Sequence, residues 1–571
     1  MHVFSFPAPL LVQHSECSQH RLPLHTAQNT RMLERQTSRC LPPQALMQRA
    51  GLAVARVALA VAPHARSIWV ACGPGNNGGD GLQAAAFLQQ WGKTVQVTLL
   101  TDPEQLPADA RHAYAQAMQA GVTLTSRPPD LTDQDLCIDA LLGIGASRAP
   151  DAEMLACIRA MQTSQAPTLA VDLPTGLHAD TGSWLPGATA QACVHARHTV
   201  TLLTLKPGLF TGHGRDAAGT VWWDDLGVPI STITTADLWL QGASGGLHDV
   251  DLLPQELPAH ASHKGNFGDV CVIGGDAGMQ GAALLAGEAA LYSGAGRVYV
   301  GLLQTGTLSH DAGLMVRHLA DADTLNALTC KNATTVCGCG GGQAIAQWLP
   351  ALLQHCPRLV MDADALNAVA ASTQLQGMLR QRAADGMVTV LTPHPLEAAR
   401  LLGCHSAEIQ QDRMAAANAL ASKYQCMVVL KGSGSICVLP HILPVAQQNQ
   451  GTGAVINFFR KCQAGHAGNR RCSGRVHGRL LGTSPRKGSR KHARIGMENG
   501  LARLLLRRSC PWPNGRYLER TRTSHARRPV GTASGTGLAS PQSCNLEKPK
   551  KPENGAKVII AFNLCPRLHT P

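Results

Sequence analysis

At 571 residues the chain has room for two or three domains, and a hydrophobic share of 44% excludes a small disulfide-stapled scaffold. A net charge of +13 suggests nucleic acid, but residues 443–571 carry 24 Lys and Arg against 4 Asp and Glu, while the other 442 residues carry 26 against 33. The basicity belongs to the tail, and the rest is a mildly acidic globular composition with no call for a nucleic-acid partner.

The 19 cysteines stand mostly singly in apolar runs, among them Cys72, Cys137, Cys271 and Cys426, where a thiol acts as a small core hydrophobe. This favours a reducing compartment. Met1 to Glu16 lack the basic lead and apolar core of a secretory signal, and no apolar run approaches the ~18 residues of a membrane span. The expectation is a cytoplasmic protein with no membrane partner.

Residues 1–21 show no periodic pattern and read as a leader, disordered or foreign to the fold. Helical patterns follow at Thr26 to Arg39 and Gln44 to Val61, the second with Leu46, Ala50, Val54 and Val57 on one stripe. Strand candidates then alternate with helices: Ser67 to Cys72, Thr94 to Leu100, Leu136 to Asp139, Thr168 to Asp172, Thr199 to Leu205 and Thr220 to Trp223. Short, doubly buried strands between helices predict a parallel sheet covered on both faces, with ligands at the carboxyl ends of its strands.

Three of those ends carry chemistry. After Cys72 comes Gly73-Pro-Gly-Asn-Asn-Gly-Gly-Asp-Gly81, read as a glycine loop before a helix that starts near Leu82. Such a loop offers free N–H groups and a helix dipole to a phosphate, and Asn76, Asn77 and Asp80 add side-chain ligands that other phosphate loops lack. The others are Asp139-Ala-Leu-Leu-Gly-Ile-Gly145 and Val171-Asp-Leu-Pro-Thr-Gly176. Two carboxylates and an amide loop at one sheet edge suit a hard cation beside a sugar-phosphate ligand. Asp172 alone also reads as a cap on the turn before Pro174.

Together with Leu205-Lys-Pro-Gly and Gly212-x-Gly-x-Asp-x-x-Gly219, these runs resemble the epimerase domain of the NAD(P)H-hydrate repair enzymes, over roughly Thr26 to Pro229. The resemblance implies that Asn76, Asn77, Gly78, Gly79 and Asp80 line the site for the hydrated nucleotide NADHX or NADPHX. It implies the same of Gly143, Ile144, Gly145, Ala146, Ser147, Arg148 and Ala149. Asp172 becomes the acid/base group at the hydroxylated ring carbon, and Asn77, Asp139 and Thr175 hold a potassium ion. Burial would raise the pKa of such an aspartate and a nearby cation would oppose it.

A second alternation begins after a mixed linker. His263-Lys-Gly-Asn-Phe-Gly268 leads into a strand from Asp269 to Gly275, a helix from Met279 and a strand from Arg297 to Leu302. Later strand ends carry Cys337-Gly-Cys-Gly-Gly-Gly342, Met361-Asp-Ala-Asp-Ala-Leu-Asn367, Leu391-Thr-Pro-His-Pro395 and Lys431-Gly-Ser-Gly-Ser435. Cys337 and Cys339 read as a tight glycine turn, since a metal site would need a second pair. His394 alone reads equally as a helix cap or a core histidine.

These motifs resemble the ADP-dependent NAD(P)H-hydrate dehydratase domain. The resemblance implies contacts of Ala282, Gly342 and His394 with the hydrate. It assigns Lys431, Gly432, Ser433, Gly434 and Ser435 to the nucleotide, with ADP, and magnesium beside it, as cofactors. Ser435 stands where the family usually has threonine and Leu396 where it has glycine.

After Val438-Leu-Pro440 the pattern stops. The family's Gly-Thr-Gly-Asp anion hole and base are missing; Gly451-Thr-Gly-Ala454 has alanine at the base position. Residues 463–478, back-translated and read with a one-nucleotide shift, become R-L-A-T-P-A-T-G-D-V-L-A-G-C-M-G, which resembles the missing motif and its helix. The tail is therefore expected to be frameshifted and disordered.

The expected organisation is a leader (1–21), a Rossmann-like three-layer α/β epimerase domain (22–240), a linker (241–262), a ribokinase-like α/β dehydratase domain incomplete at its C-terminus (263–442) and a basic tail (443–571). The expected assembly is a homo-oligomer. A ribokinase-like small-molecule kinase and a noncatalytic nucleotide-binding protein are the alternatives.

Overall fold

In the strand Ser67–Cys72, Ile68, Val70 and Cys72 point to one side and Trp69 and Ala71 to the other, and all five are fully buried. A strand buried on both faces needs a packed layer on each. The computed structural model describes residues 10–11, 21–228, 238–241, 262–305, 309–329, 333–440 and 454–457. Its two sheets have that covered, largely parallel character.

The first sheet runs in the order Leu10–Leu11, Thr220–Asp224, His198–Leu202, Thr168–Val171, Leu136–Ala140, Ser67–Cys72, Thr94–Leu99, Thr123–Leu124. Only the Leu10–Leu11 pairing is antiparallel. From Ser67–Cys72 the chain crosses outward to Thr94–Leu99 and Thr123–Leu124, then returns to Leu136–Ala140 on the opposite side. Strand order reverses between Ser67–Cys72 and Leu136–Ala140, which opens a crevice past their carboxyl ends. Gly73 and Leu141 start there.

The second sheet runs Leu314–His318, Arg297–Leu302, Asp269–Gly274, Ala333–Cys337, Arg358–Met361, Val388–Leu391, Met427–Leu430, Ser435–Val438, Val455–Asn457, Leu238–Gln241, Arg21–Leu24. It is parallel from the first strand to Met427–Leu430, after which Ser435–Val438 turns back antiparallel. Its order reverses between Asp269–Gly274 and Ala333–Cys337, the position where sheets of this kind bind ligands.

Three expected limits shift. Within the leader, Leu10–Leu11 pairs with Trp222 and Trp223. Arg21–Leu24 is a strand with Leu22 and Leu24 buried, and it joins the second sheet through Leu238–Gln241. Val455–Asn457, beyond the expected limit at 442, pairs with Ser435–Val438 and Leu238–Gln241, with Val455 and Ile456 buried. Buried backbone needs ladder partners, and here they come from segments far away in sequence. Apart from 454–457, the expected tail lies outside the described residues, as does most of the expected linker. Among the described residues no helix is long and apolar enough to cross a membrane.

One core cluster ignores the boundary between the sheets. It joins Leu173, Leu205, Leu209 and Phe210 to Ile273, Leu359, Tyr424, Leu430 and Ile436.

Candidate functional site

The expected glycine loop is largely helix. The helix Asn76–Gln90 begins directly after Gly75, six residues before the expected start. Its glycines are required by close approach rather than by left-handed backbone. A Cβ at Gly78 would lie 2.0 Å from Gly73 O, one at Gly79 2.7 Å from Ala110 Cβ, and one at Gly81 2.4 Å from Ala140 Cβ. Small residues let the helix N-terminus sink against the strand ends, carrying Asn77 and Asp80 with it. Gly78→Ala is expected to destabilise the fold by about 1–3 kcal/mol, because the clash with backbone outweighs alanine's ~1 kcal/mol helix advantage. A lowered urea midpoint would show this.

Asp172 ends the strand Thr168–Val171 with φ of 65°, a left-handed conformation that aspartate tolerates better than most residues. Its carboxylate faces the neighbouring strand instead of capping its own turn. Oδ1 accepts from Lys206 Nζ, from Leu202 N (3.2 Å) and from Thr201 Oγ1 (3.4 Å). Lys206 is fully buried and also donates to Leu202 O (2.6 Å) and Thr201 Oγ1 (3.2 Å), so its three N–H bonds are spoken for. A buried ammonium and carboxylate with their hydrogen bonds filled hold each other in place.

This pair opens onto a cavity of about 560 Å³. Thr30, Arg31 and Glu34 of the helix Ala27–Ser38 form one wall; Asn76, Asn77 and Asp80 form another, and Gly143 to Ala149 a third. Burial and the Asp172 charge push the Asp80 carboxyl well above the usual range, with Glu34 adding to the effect and Lys206 opposing it. Burial and Asp172 raise Glu34 in the same way. The cavity thus sets one carboxylate with its own counter-charge beside two that favour holding a proton, the separation that acid/base chemistry uses.

Asp139, fully buried, lies beneath this wall. Its Oδ2 accepts from Thr175 N (2.8 Å), and its Oδ1 accepts from Thr175 Oγ1 (2.7 Å) and Leu141 N (3.2 Å). Burial pushes its carboxyl up to about 6, with the Thr175 and Leu141 hydrogen bonds opposing. Leu142 N donates to Thr175 Oγ1 (3.0 Å), and a Cβ at Gly143 would lie 3.1 Å from Asn77 Oδ1. The three expected potassium ligands therefore meet around the 139–143 run. Asn77 Nδ2 is buried with no hydrogen-bond partner among the described residues; rotating the amide would put an oxygen there. An orphaned amide, a carboxylate and a hydroxyl are a donor set that fits a hard monovalent cation.

In the second domain His394 caps the helix Pro395–Leu402. Its Nδ1 accepts from Leu396 N (3.1 Å) and Glu397 N (3.2 Å), while Glu397 Oε2 accepts from His394 N (2.8 Å). Glu397 Oε1 lies 3.0 Å from His394 Nε2, and Oε2 lies 3.7 Å from Lys431 Nζ, which also pairs with Asp362. Burial raises the Glu397 carboxyl, but the His394 hydrogen bonds and Lys431 charge outweigh it and hold it below its ordinary range. Gly342 N donates to Asp364 Oδ2 (2.9 Å), and a Cβ at Gly340 would lie 3.0 Å from Ala282 Cβ. Leu396 is 46% exposed beside the cap.

The family profile described as "YjeF-related protein N-terminus" matches residues 43–208, and that described as "NAD(P)H-hydrate dehydratase" matches 270–455. The bifunctional NAD(P)H-hydrate repair enzyme Nnr of Escherichia coli is 36% identical over 405 residues, covering 68% of this chain and 73% of its own length. The chain belongs to the bifunctional NAD(P)H-hydrate repair enzyme family. A Coxiella burnetii member is 36% identical over 408 residues (68% of this chain, 78% of that one), and a Leishmania braziliensis member 34% over 453 (74% and 77%). A solved Bacillus subtilis ADP/ATP-dependent NAD(P)H-hydrate dehydratase, co-crystallised with ATP and Mg2+, is 21% identical. It covers 43% of this chain and 76% of its own, with a TM-score of 0.28.

In this member of the repair family, Asn76, Asn77, Asp80, Asp172 and the run Gly143 to Ala149 share one cavity. Gly78 and Gly79 do not line it; both are buried in helix packing. Lys206 and Glu34 are among the lining residues that received no role from the sequence. Lys206 stood in view within Leu205-Lys-Pro-Gly, a lone lysine after an apolar strand. Glu34 carried no signal, because its helix is mostly polar and only the fold turns that residue inward.

Proposed function

We propose that the first domain interconverts the R and S epimers of hydrated NADH or NADPH, and that the second binds ADP and the S epimer. The observation that carries this reading is the buried Asp172–Lys206 pair at the head of a cavity built from the helix N-terminus at Asn76 and the Gly143 to Ala149 run. Backbone amides at Asn76 and Asn77 and the guanidinium of Arg148 suit the phosphates. The hydrated ring then lies toward Asp172.

The hydroxylated carbon sits beside the ring nitrogen and loses its hydroxyl as water once a proton is delivered, leaving an iminium ion. The carboxylate of Asp172, paired with Lys206, stabilises that cation. Asp80, whose carboxyl is raised by burial and by the Asp172 charge, supplies the proton and takes it back when water adds to the other face. No redox change occurs. A potassium ion at Asn77, Asp139 and Thr175 would add fixed positive charge behind the 139–143 run.

Following the two purified hydrate epimers by chiral-resolving chromatography tests the reading. Interconversion no faster than in buffer, by folded protein, would overturn it and bring forward the noncatalytic nucleotide-binding alternative. For the ion, KCl is expected to raise the melting temperature above that in equal NaCl, a ligand effect on the order of 1–3 kcal/mol. In Asn77→Ala the two salts should give the same midpoint. Cys72, Cys137, Cys157 and Cys426 are buried as free thiols, which suits a reducing compartment such as the cytoplasm.

A further inference from the structure

The segment that carries Lys206 goes on to touch the second domain. After the short turn Pro207–Leu209, Phe210, Thr211 and Gly212 press against Lys431 to Ser435, the loop assigned above to the nucleotide. Thr211 is fully buried. Its hydroxyl lies 3.2 Å from Ser433 O and 3.4 Å from Gly434 O as donor and accepts from Arg413 Nε at 3.2 Å; Gly212 N donates to Ser433 O at 3.3 Å. Arg413, from the helix Arg413–Tyr424 and also fully buried, extends Nη2 to the carbonyls of Leu430 (3.4 Å), Lys431 (3.3 Å) and Gly434 (3.4 Å).

We propose that Thr211 and Arg413 are positioning residues for this loop, so that the first domain supplies part of the base on which the second domain's nucleotide site is shaped. This rests on the reading that the loop binds ADP. A trans peptide points its C=O and N–H in opposite directions. With the carbonyls of Lys431 and Ser433 drawn inward, the N–H groups of Gly432 and Gly434 are aimed away from the base, where phosphate oxygens can meet them.

The loop's backbone is moulded on the same partners. Gly432 (φ 147°) and Gly434 (φ 62°) occupy conformations that side chains rarely adopt. A Cβ at Gly434 would lie 2.0 Å from Phe210 O, and one at Gly432 2.5 Å from Arg413 Nη1. Burial pulls the Arg413 guanidinium down to about 10, which leaves it charged at neutral pH. Carbonyl, amide and hydroxyl oxygens surround it, so its charge adds to a field that favours an anion on the outer face.

The test is calorimetric titration of the full chain with ADP and Mg2+, comparing wild type, Thr211→Val and Thr211→Ser, with epimerisation rate and melting temperature measured on the same samples. Valine keeps the shape and removes the hydroxyl; it should weaken ADP binding about tenfold, with epimerisation within about twofold of wild type and a modest fall in melting temperature, since the buried Arg413 Nε loses an acceptor. Serine restores the hydroxyl and should bind ADP like wild type. Unchanged ADP affinity in Thr211→Val overturns the proposal, as does a loss of affinity that serine fails to rescue or that comes with falling epimerisation. A wild type that binds no ADP would overturn the nucleotide-site reading itself, and this proposal with it.

Discussion

Asp172→Asn is expected to slow interconversion of the hydrate epimers by about 10²- to 10⁴-fold, which is about 3–5 kcal/mol of barrier. Asparagine tolerates the left-handed backbone at this position nearly as well as aspartate, so the change removes the charge rather than the local conformation. It also leaves the Lys206 ammonium buried without its counter-charge, and orphaning one member of a buried pair typically costs about 3–5 kcal/mol of stability. Lost activity in the single variant could therefore be a folding effect. The double variant Asp172→Asn, Lys206→Met removes both charges and should recover most of the stability while staying as slow as the single variant. The measurements are urea midpoints beside epimerisation rates. A double variant that regains wild-type rates would show that Asp172 acts only on stability, and the catalytic assignment would fall.

The elements most legible in the sequence were the strands. Ser67–Cys72 and Arg297–Leu302 occupy the expected residues, because a strand buried on both faces is a continuous apolar run, and the run itself is the signal. The helix at Asn76 was misread for a physical reason. Gly-Asn-Asn-Gly-Gly-Asp-Gly is turn-like by local propensity, and only contact with Gly73, Ala110 and Ala140, invisible in a linear string, makes those glycines helical. The same limit hid the short strands at the boundaries. Arg21–Leu24, Leu238–Gln241 and Val455–Asn457 pair with one another across more than 200 residues of chain. In the site, Asp172 could be singled out from its motif. Its partner could not, since the link to Lys206 spans 34 residues and crosses from one strand end to the next. Glu34 and Asp80 are raised by burial and then by the Asp172 charge across the cavity, both of which are properties of the fold.

The chain as it stands should give no reduced nucleotide above background from ADP and the S-hydrate, although ADP should still bind. Binding and turnover separate here because they draw on different parts of the sequence. Lys431 remains paired with Asp362 and near Glu397, and the loop to Ser435 is held by Arg413. The resemblance to the family's dehydratases implies phosphorylation of the hydroxyl followed by elimination of phosphate, with the aspartate of Gly-Thr-Gly-Asp as the base. Alanine occupies the base position of Gly451-Thr-Gly-Ala454, and Ala454 is fully buried at the start of the Val455–Asn457 strand. Loss of a general base alone lowers a rate by about 10²- to 10⁴-fold, and the missing anion hole would lower it further. A gene read in three frames should show the motif in register over 463–478, and restoring that frame should bring back ADP-dependent dehydration by at least the same factor. Robust turnover by the uncorrected chain would instead mean that another carboxylate serves as base. Because Asp362 Oδ1 pairs with Lys431 and Glu397 Oε2 lies 3.7 Å from the same ammonium, those two would be the first to replace by Asn and Gln.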